Sequence, residues 1–187
     1  MSVTAICPLT RHDYEALPET GKRYQLIGGE LRVAPAPNRY HQEVSKNLEF
    51  VLHPFVKSNG LGKVYNAPFD VYLSDYDVFQ PDLLFVSNER RSILTDKGAE
   101  GAPDLVIEIL SPSTEHNDRN TKFSTYAQAG VTEYWLIDPD ARAIELYRFQ
   151  ESVDTPAQTA ILGENKTFGT PLLPGLEISI EEVFSDD

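Results

Sequence analysis

The sequence is poor in cysteine, because Cys7 is the only one among 187 residues. A single cysteine cannot form an intrachain disulfide, which excludes a disulfide-stabilised secreted domain and predicts a reducing compartment. The first residues lack the basic start and the apolar segment of a signal peptide. No apolar run approaches the roughly 18–20 residues that span a bilayer. These absences predict a cytoplasmic protein without a membrane partner.

Basic residues are scarce as well. The chain has 16 Lys and Arg against 29 Asp and Glu, a formal net charge of −13. This balance disfavours nucleic-acid binding, because phosphate contacts are made by Lys and Arg. The excess is uneven, however, since the last 50 residues hold 11 acids and 3 bases. A nucleic-acid site is therefore expected in the earlier part of the chain, or at a metal ion that changes the local charge.

Several common catalytic motifs are missing. The four histidines show neither HxxxH nor HExxH spacing, which argues against a zinc hydrolase. There is no GxxxxGK[ST] or GxGxxG segment for a nucleotide phosphate and no GxSxG serine. No internal repeat or Pro/Gly/Ser linker divides the chain, so one domain is predicted over residues 1–187.

The apolar pattern predicts helix, strands, helix, strands, which is an α/β or α+β fold with a central β-sheet flanked by helices. Turn residues at Gly28-Gly29 predict a hairpin. The predicted helices are Arg11–Leu17, Asn38–Lys57 and Asp118–Ala129, and the predicted strands include Tyr24–Val33 as a hairpin, Lys63–Leu73, Gln80–Val86, Asp104–Leu110, Thr132–Ile137 and Ala143–Phe149.

Glu108 stands out on the strand PDLVIEIL, residues 103–110. Both faces of this strand are apolar, so it is predicted to be central and covered. An unpaired carboxylate there would cost several kcal/mol, on the order of 3–5. Glu108 is therefore expected to be neutral, paired with an arginine or lysine, or bound to a cation.

Asp82 raises the same question in QPDLLFV, residues 80–86. Its structural interpretation is that it caps the start of a strand after proline. Its functional interpretation is that, on neighbouring strands, it meets Glu108. Two close carboxylates repel unless a divalent cation lies between them, and hard oxygen ligands suit Mg²⁺ or Mn²⁺.

Lys122 lies on a predicted helix with Asp118 and Tyr126 at i, i+4 and i+8, on one face. A lysine on this face could aim its ammonium at the strand ends and stabilise charge on a phosphate. The alternative is a solvent-exposed pair with Asp118, worth about 0.3–0.5 kcal/mol. Glu30 and His41 are weaker candidates, because a hairpin acid is often an edge charge and a lone histidine is often structural.

At these residues the chain resembles the Uma family of restriction-endonuclease-like proteins, within the PD-(D/E)XK nuclease superfamily. The resemblance runs from about Leu9 to Phe184 and implies a central mixed sheet flanked by helices. The ordered segments that carry it are Gly29-Glu30-Leu31, His41 at a helix start, QPDLLFV, PDLVIEILSPST, then Asp118, Lys122 and Tyr126, then Gly130-Val131 and EYWLIDP.

The resemblance also implies a catalytic site. In the superfamily the site contains the acid of a PD dipeptide, a second acid on the next core strand, and a lysine two residues later. These acids map to Asp82 and Glu108. Leu110 stands where the lysine is expected, and the family supplies it from the following helix, which maps to Lys122. Asp104 also follows a proline, but it lies roughly 13 Å from Glu108 along the same strand.

From this resemblance we expect Asp82, Glu108 and the backbone carbonyl of Ile109 to bind Mg²⁺ or Mn²⁺, with Glu30 as an additional acid. The expected function is a metal-dependent endonuclease that hydrolyses phosphodiester bonds of nucleic acid, with DNA as the expected partner. Cutting both strands needs two sites, so a homodimer is expected.

Two other functions remain open. The acidic charge and Leu110 favour a catalytically inactive nuclease-fold protein that only binds a partner. The charge also suits a phosphohydrolase that acts on small phosphate esters.

Overall fold

The chain is represented by a computed structural model that describes residues 7–18, 20–150, 152, 155–162 and 167–186. The helices are α1 Arg11–Glu15, α2 Arg39–Ser58, α3 Glu115–Asn117, α4 Phe123–Ala129 and α5 Ile180–Val183. The strands are β1 Tyr24–Ile27, β2 Glu30–Val33, β3 Gly62–Asn66, β4 Asp70–Tyr72, β5 Val78–Phe79, β6 Leu83–Ser87, β7 Gly98–Glu100, β8 Leu105–Ile109, β9 Glu133–Asp138, β10 Ala143–Arg148, β11 Gln158–Ile161, β12 Thr167–Phe168 and β13 Ile178–Ser179. Within these ranges, no helix combines the length and the apolarity needed to cross a bilayer.

A six-stranded mixed sheet forms the centre of the fold, in the order β11-β10-β9-β8-β6-β3. Strands β8 and β9 run parallel, and the other neighbours are antiparallel. All five residues of β8 are buried, as expected for a central strand. The predicted α/β architecture with a mixed sheet and flanking helices is therefore confirmed.

The long helix α2 covers one face of this sheet. Its buried residues Val44, Leu48, Leu52 and Val56 recur every four positions and pack against one side of β8 and its neighbours. The side chain of Asn38 caps the helix by accepting a hydrogen bond from the backbone N–H of His41 at 2.8 Å. This cap fixes the start of α2, and with it His41, at the edge of the sheet.

The opposite face is covered by the segment 115–129. Residues Asp118–Lys122 form a π-helical turn between α3 and α4, where one continuous helix was predicted. The helix ends at Gly130, whose φ of 90° is the left-handed conformation that favours glycine. Tyr126 packs here with Val106 and Tyr134. Lys122 thereby faces the sheet instead of solvent.

The predicted strand over 63–73 is wrong as a single strand, because it divides into β3 of the central sheet and β4 of a five-stranded sheet of order β2-β1-β5-β4-β7. The predicted strand over 80–86 is β6, which begins later, at Leu83, and the preceding strand β5 belongs to the five-stranded sheet. The breaks fall at Pro68 and Pro81, whose rings lack the N–H that a strand donates to its neighbour. The Ser74–Asp77 turn joins β4 and β5 as a hairpin. Asp82 therefore lies where the chain passes between the sheets.

Arg90 links the loop after β6 to the start of β8. Its guanidinium donates to the carbonyls of Ala102 and Gly130 at 3.1 and 3.0 Å, and lies 3.3 Å from the buried carboxylate of Asp104. Arg90→Ala is expected to lower the free energy of unfolding by about 2–3 kcal/mol, because it leaves a buried acid without its cation. Urea unfolding at neutral pH measures this loss.

The neighbouring substitution Arg91→Ala is the control for this experiment. The side chain of Arg91 is exposed and forms no ion pair within the described ranges. We expect its removal to change the free energy of unfolding by no more than about 0.5 kcal/mol. Equal losses in the two variants would contradict the role assigned to Arg90.

Candidate active site

The central sheet brings Asp82 and Glu108 together. Strands β6 and β8 pair antiparallel with Leu83 opposite Ile107, so the next residue outward on each strand is Asp82 on one and Glu108 on the other. The backbone N–H of Ile109 donates to Oδ2 of Asp82 at 2.8 Å. The two acids thus meet across neighbouring strands, at the point where the ladder ends.

His41 holds the same carboxylate from the side of α2. Its Nε2 lies 3.3 Å from Oδ2 of Asp82, and its Nδ1 is buried without a hydrogen-bond partner among the described residues. Burial lowers the pKa of His41. Asp82 and the backbone of Ile109 together raise this pKa by more than burial lowers it, so the net pKa is above its ordinary value. Imidazolium is therefore the form that Asp82 favours.

Glu108 accepts two hydrogen bonds on one oxygen. Nζ of Lys122 and the hydroxyl of Tyr126 each lie 2.9 Å from its Oε1. Lys122 is also 3.0 Å from Oδ1 of Asp118, one helical turn earlier. Lys122 and Asp118 are 4% and 1% exposed, so the solvent-exposed pair considered above is wrong. The pairing of Glu108 with a lysine, one of the alternatives left open, is found here.

Burial and charge perturb the pKa values of this cluster. Burial raises the pKa of the Glu108 carboxyl. The Lys122 ammonium partly lowers this pKa, and the carboxylates of Asp118 and Asp82 raise it again. Burial also lowers the pKa of Lys122, but Glu108 and Asp118 raise it above its ordinary value. The lysine is therefore held as an ammonium between two acids.

A cavity of about 250 Å³ opens onto this cluster. Its lining includes Asp82, Glu108, Lys122, His41 and Gln80. The remaining wall comes from the loop before α2 and the loop after β8, residues 34–38 and 111–114, together with Arg23, Gln25 and Ile109. Tyr126 lies behind Glu108, outside this lining, and acts on the site only through its hydrogen bond.

The cluster contains carboxylate oxygens, which are the ligand atoms that a hard divalent cation prefers. The hydrogen bonds of Asp82 fall on Oδ2 and those of Glu108 on Oε1, and no described residue donates to Oδ1 or Oε2. Mg²⁺ keeps several waters and uses one or two carboxylates plus substrate oxygens. Three or more His, Cys, Asp or Glu side chains do not converge on one metal position anywhere in the described ranges. Asp82 and Glu108 could therefore hold such an ion only as an open pair of carboxylate ligands, with the remaining ligands from water or substrate.

The remaining predicted residues lie elsewhere. Glu30 is exposed on β2, pairs with Arg32 at 3.1 Å, and does not line the cavity. Asp104 accepts a hydrogen bond from the backbone N–H of Ser87 at 2.7 Å and faces Arg90. The second PD acid is thus committed to a structural contact at the other end of β8.

Gln80 is a cavity residue that the sequence analysis did not single out. Its Nε2 donates to Oδ1 of Asp70 at 2.7 Å, and Asp70 also accepts from the hydroxyls of Tyr14 and Tyr72. A carboxylate only accepts, so this contact fixes which end of the amide is nitrogen. The other end, Oε1, is buried without a partner among the described residues. The sequence signal that could have identified Gln80 is its position directly before Pro81-Asp82.

Residues 11–181 match the model of the Uma2 family, described as "Putative restriction endonuclease". Among curated proteins, an uncharacterized protein of Synechocystis sp. is 25% identical over 147 residues, which cover 77% of this chain and 81% of the relative. The family match confirms the resemblance predicted from the motifs.

Among solved structures, the chain is similar to the crystal structure of a putative nuclease belonging to DUF820 from Anabaena variabilis. The TM-score is 0.76 at 24% sequence identity, over 95% of this chain and 98% of that chain. At this identity the likeness shows the fold alone.

Proposed function

Since the chain belongs to the Uma2 family, we propose that it is a metal-dependent endonuclease that hydrolyses phosphodiester bonds of DNA. The observation that carries this proposal is the meeting of Asp82 and Glu108 at a cavity, each with one oxygen held by hydrogen bonds and the other without a donor among the described residues. Lys122 adds a cation at the same place. Two acids can hold a divalent cation and a lysine can stabilise charge on a phosphate, and both contribute to phosphodiester hydrolysis.

The chain's own groups have distinct roles in this proposal. Asp82 and Glu108, with the carbonyl of Ile109, would hold Mg²⁺ or Mn²⁺, which supplies a Lewis acid for a phosphoryl oxygen and lowers the pKa of a water. Lys122 stabilises negative charge that develops on the phosphate. Tyr126 keeps the carboxylate of Glu108 in one orientation through its 2.9 Å hydrogen bond.

Two further side chains would complete the site. His41 positions Asp82 from α2 through Oδ2, which leaves Oδ1 without a donor among the described residues. Gln80 lines the same cavity with an unpartnered acceptor, Oε1, which suits a hydrogen bond from a water in the cavity. Both residues act through groups that they orient, and neither replaces the two acids.

The two PD acids provide a matched test of this proposal. The protein is incubated with single- and double-stranded DNA in Mg²⁺, in Mn²⁺ and in EDTA. We expect cutting in either metal and none in EDTA. Asp82→Asn should lower the rate by at least about 100-fold, because it removes a charged ligand. Asp104→Asn should retain cutting within about fivefold, because Asp104 faces Arg90.

Each other result has a distinct meaning. An absence of cutting in every metal would contradict the endonuclease proposal and favour a protein that only binds. Hydrolysis of a chromogenic phosphodiester without cutting of DNA would favour an enzyme for small phosphate esters. Equal loss in Asp82→Asn and Asp104→Asn would argue that folding, and not the site, was affected.

A further inference from the structure

A second cavity, of about 420 Å³, lies at the opposite end of α2 from the active site. Its lining includes Lys57, Lys63, Arg91 and His53, and it contains no Asp or Glu. The chain as a whole has almost twice as many acids as bases. The lining therefore has an excess of basic residues, whereas the chain as a whole has an excess of acidic residues.

The three cations come from three different elements. Lys57 is in the last turn of α2, Lys63 is in β3, and Arg91 begins the 3₁₀ turn Arg91–Ile93. Lys57 is favoured locally, because a cation stabilises the C-terminus of a helix. This local reason does not extend to Lys63 or Arg91. The tertiary structure gathers them at one cavity although like charges repel.

These cations are available to a ligand. All three side chains are exposed, and none forms an ion pair or a side-chain hydrogen bond with another described residue. Glu89 is two residues from Arg91 but does not line the cavity. By contrast, Arg11, Arg39 and Lys97 are all paired with acids. Lys57, Lys63 and Arg91 thus form a group of unpaired cations at one cavity, whereas Lys22, Arg23 and Arg142, which also form no ion pair with a described residue, do not line it.

We propose that this cavity is a phosphate-binding anchor for the backbone of a nucleic acid, separate from the active site. In the active-site cavity, the carboxylates of Asp82 and Glu108 offset the charges of Lys122 and Arg23, which reduces its attraction for a polyanion when no metal ion is bound. A chain of net charge −13 needs a local positive surface to hold a polyanion. The cavity supplies one, and long flexible lysine and arginine side chains suit phosphates without reading sequence.

The distance from the active site suits a bound strand. His41 and Lys57 are 16 residues apart on α2, which corresponds to roughly 24 Å at 1.5 Å per residue. Successive phosphates on one strand of a duplex advance by about 3.4 Å, so the anchor would contact the backbone roughly seven nucleotides away. Only the choice of polyanion rests on the proposed function, since the charge cluster stands independently of it.

The test measures binding without cutting. A fluorescein-labelled 20-base-pair duplex is titrated with protein in EDTA, by anisotropy, over a series of salt concentrations. The triple variant Lys57→Gln, Lys63→Gln, Arg91→Gln should weaken binding at least about tenfold near 0.1 M salt. The slope of log affinity against log salt should fall by about 2–3, because each phosphate contact contributes about 0.9.

A matched triple variant removes the same charge elsewhere. Arg11→Gln, Arg39→Gln and Lys97→Gln remove three cations that are paired with acids, and should change the slope by less than about 1. Circular dichroism checks that both proteins fold. Equal weakening in the two variants would overturn the anchor, as would a failure of the wild type to bind the duplex. Tight binding of inorganic tripolyphosphate would instead identify a small polyanion as the ligand.

The binding result is independent of the cutting assay. Anchor-dependent binding by a protein that cuts nothing would support the anchor and contradict the endonuclease proposal. If the wild type cuts DNA and the Lys57, Lys63 and Arg91 triple variant binds the duplex as tightly as the wild type, the endonuclease proposal is supported and the anchor is overturned.

Discussion

Glu108→Gln is expected to lower metal-dependent cutting of DNA by at least about 10³-fold, equivalent to about 4 kcal/mol of transition-state stabilisation. The amide has the same shape and its oxygen can still accept from Lys122 and Tyr126, so the local hydrogen bonds persist. It lacks the negative charge that a divalent cation requires. The measurement is the initial rate of cutting in Mg²⁺ and in Mn²⁺, with the fold checked by thermal unfolding.

Glu133→Gln is the control for this exchange. Glu133 is also a buried glutamate of the central sheet, one strand away on β9, but its carboxylate pairs with Arg148 and accepts from the indole of Trp135. We expect Glu133→Gln to retain cutting within about fivefold at a temperature where it is folded, because it does not line the cavity. Retention of full activity by Glu108→Gln would remove Glu108 from the site.

Lys122→Met is expected to lower the free energy of unfolding by about 3–5 kcal/mol at neutral pH. Methionine has a similar length, so the main loss is the ammonium that separates Glu108 from Asp118. All three side chains are at most 5% exposed, so solvent compensates little for the missing charge. Urea unfolding, with the slope checked for two-state behaviour, measures the loss.

Lys46→Met is the matched exchange at an exposed pair. Lys46 contacts Glu43 on the surface of α2, and its side chain is 47% exposed. Such a pair contributes about 0–1 kcal/mol, so a small effect is expected. Adding Glu108→Gln and Asp118→Asn to Lys122→Met should recover part of the loss, because the uncompensated charges are then gone. A loss below about 1 kcal/mol in Lys122→Met would contradict the buried cluster.

These two predictions separate the roles of neighbouring residues. Glu108→Gln is expected to affect cutting far more than folding, because Lys122 keeps Asp118 as its partner. Lys122→Met is expected to affect both, because the same ammonium balances two buried acids and faces the cavity. A comparison of stability and rate in each variant therefore assigns each effect to its cause.

Local sequence pattern was sufficient for the elements whose burial repeats regularly. The stripe that includes Val44, Leu48 and Leu52 predicted α2, and the doubly apolar run around Glu108 predicted the central strand β8. Gly130 marked the end of α4 because only a left-handed residue closes the helix there. The ordered motifs also indicated the family, which the match over residues 11–181 confirms.

Other features depend on contacts between residues far apart in the chain. The division of 63–73 between two sheets follows from which neighbouring strands its backbone pairs with. The burial of Lys122, the contact of His41 with Asp82 and the convergence of Lys57, Lys63 and Arg91 are likewise tertiary. Charge and hydropathy along a chain show that a residue is polar, but only packing decides whether another charge or solvent is its partner.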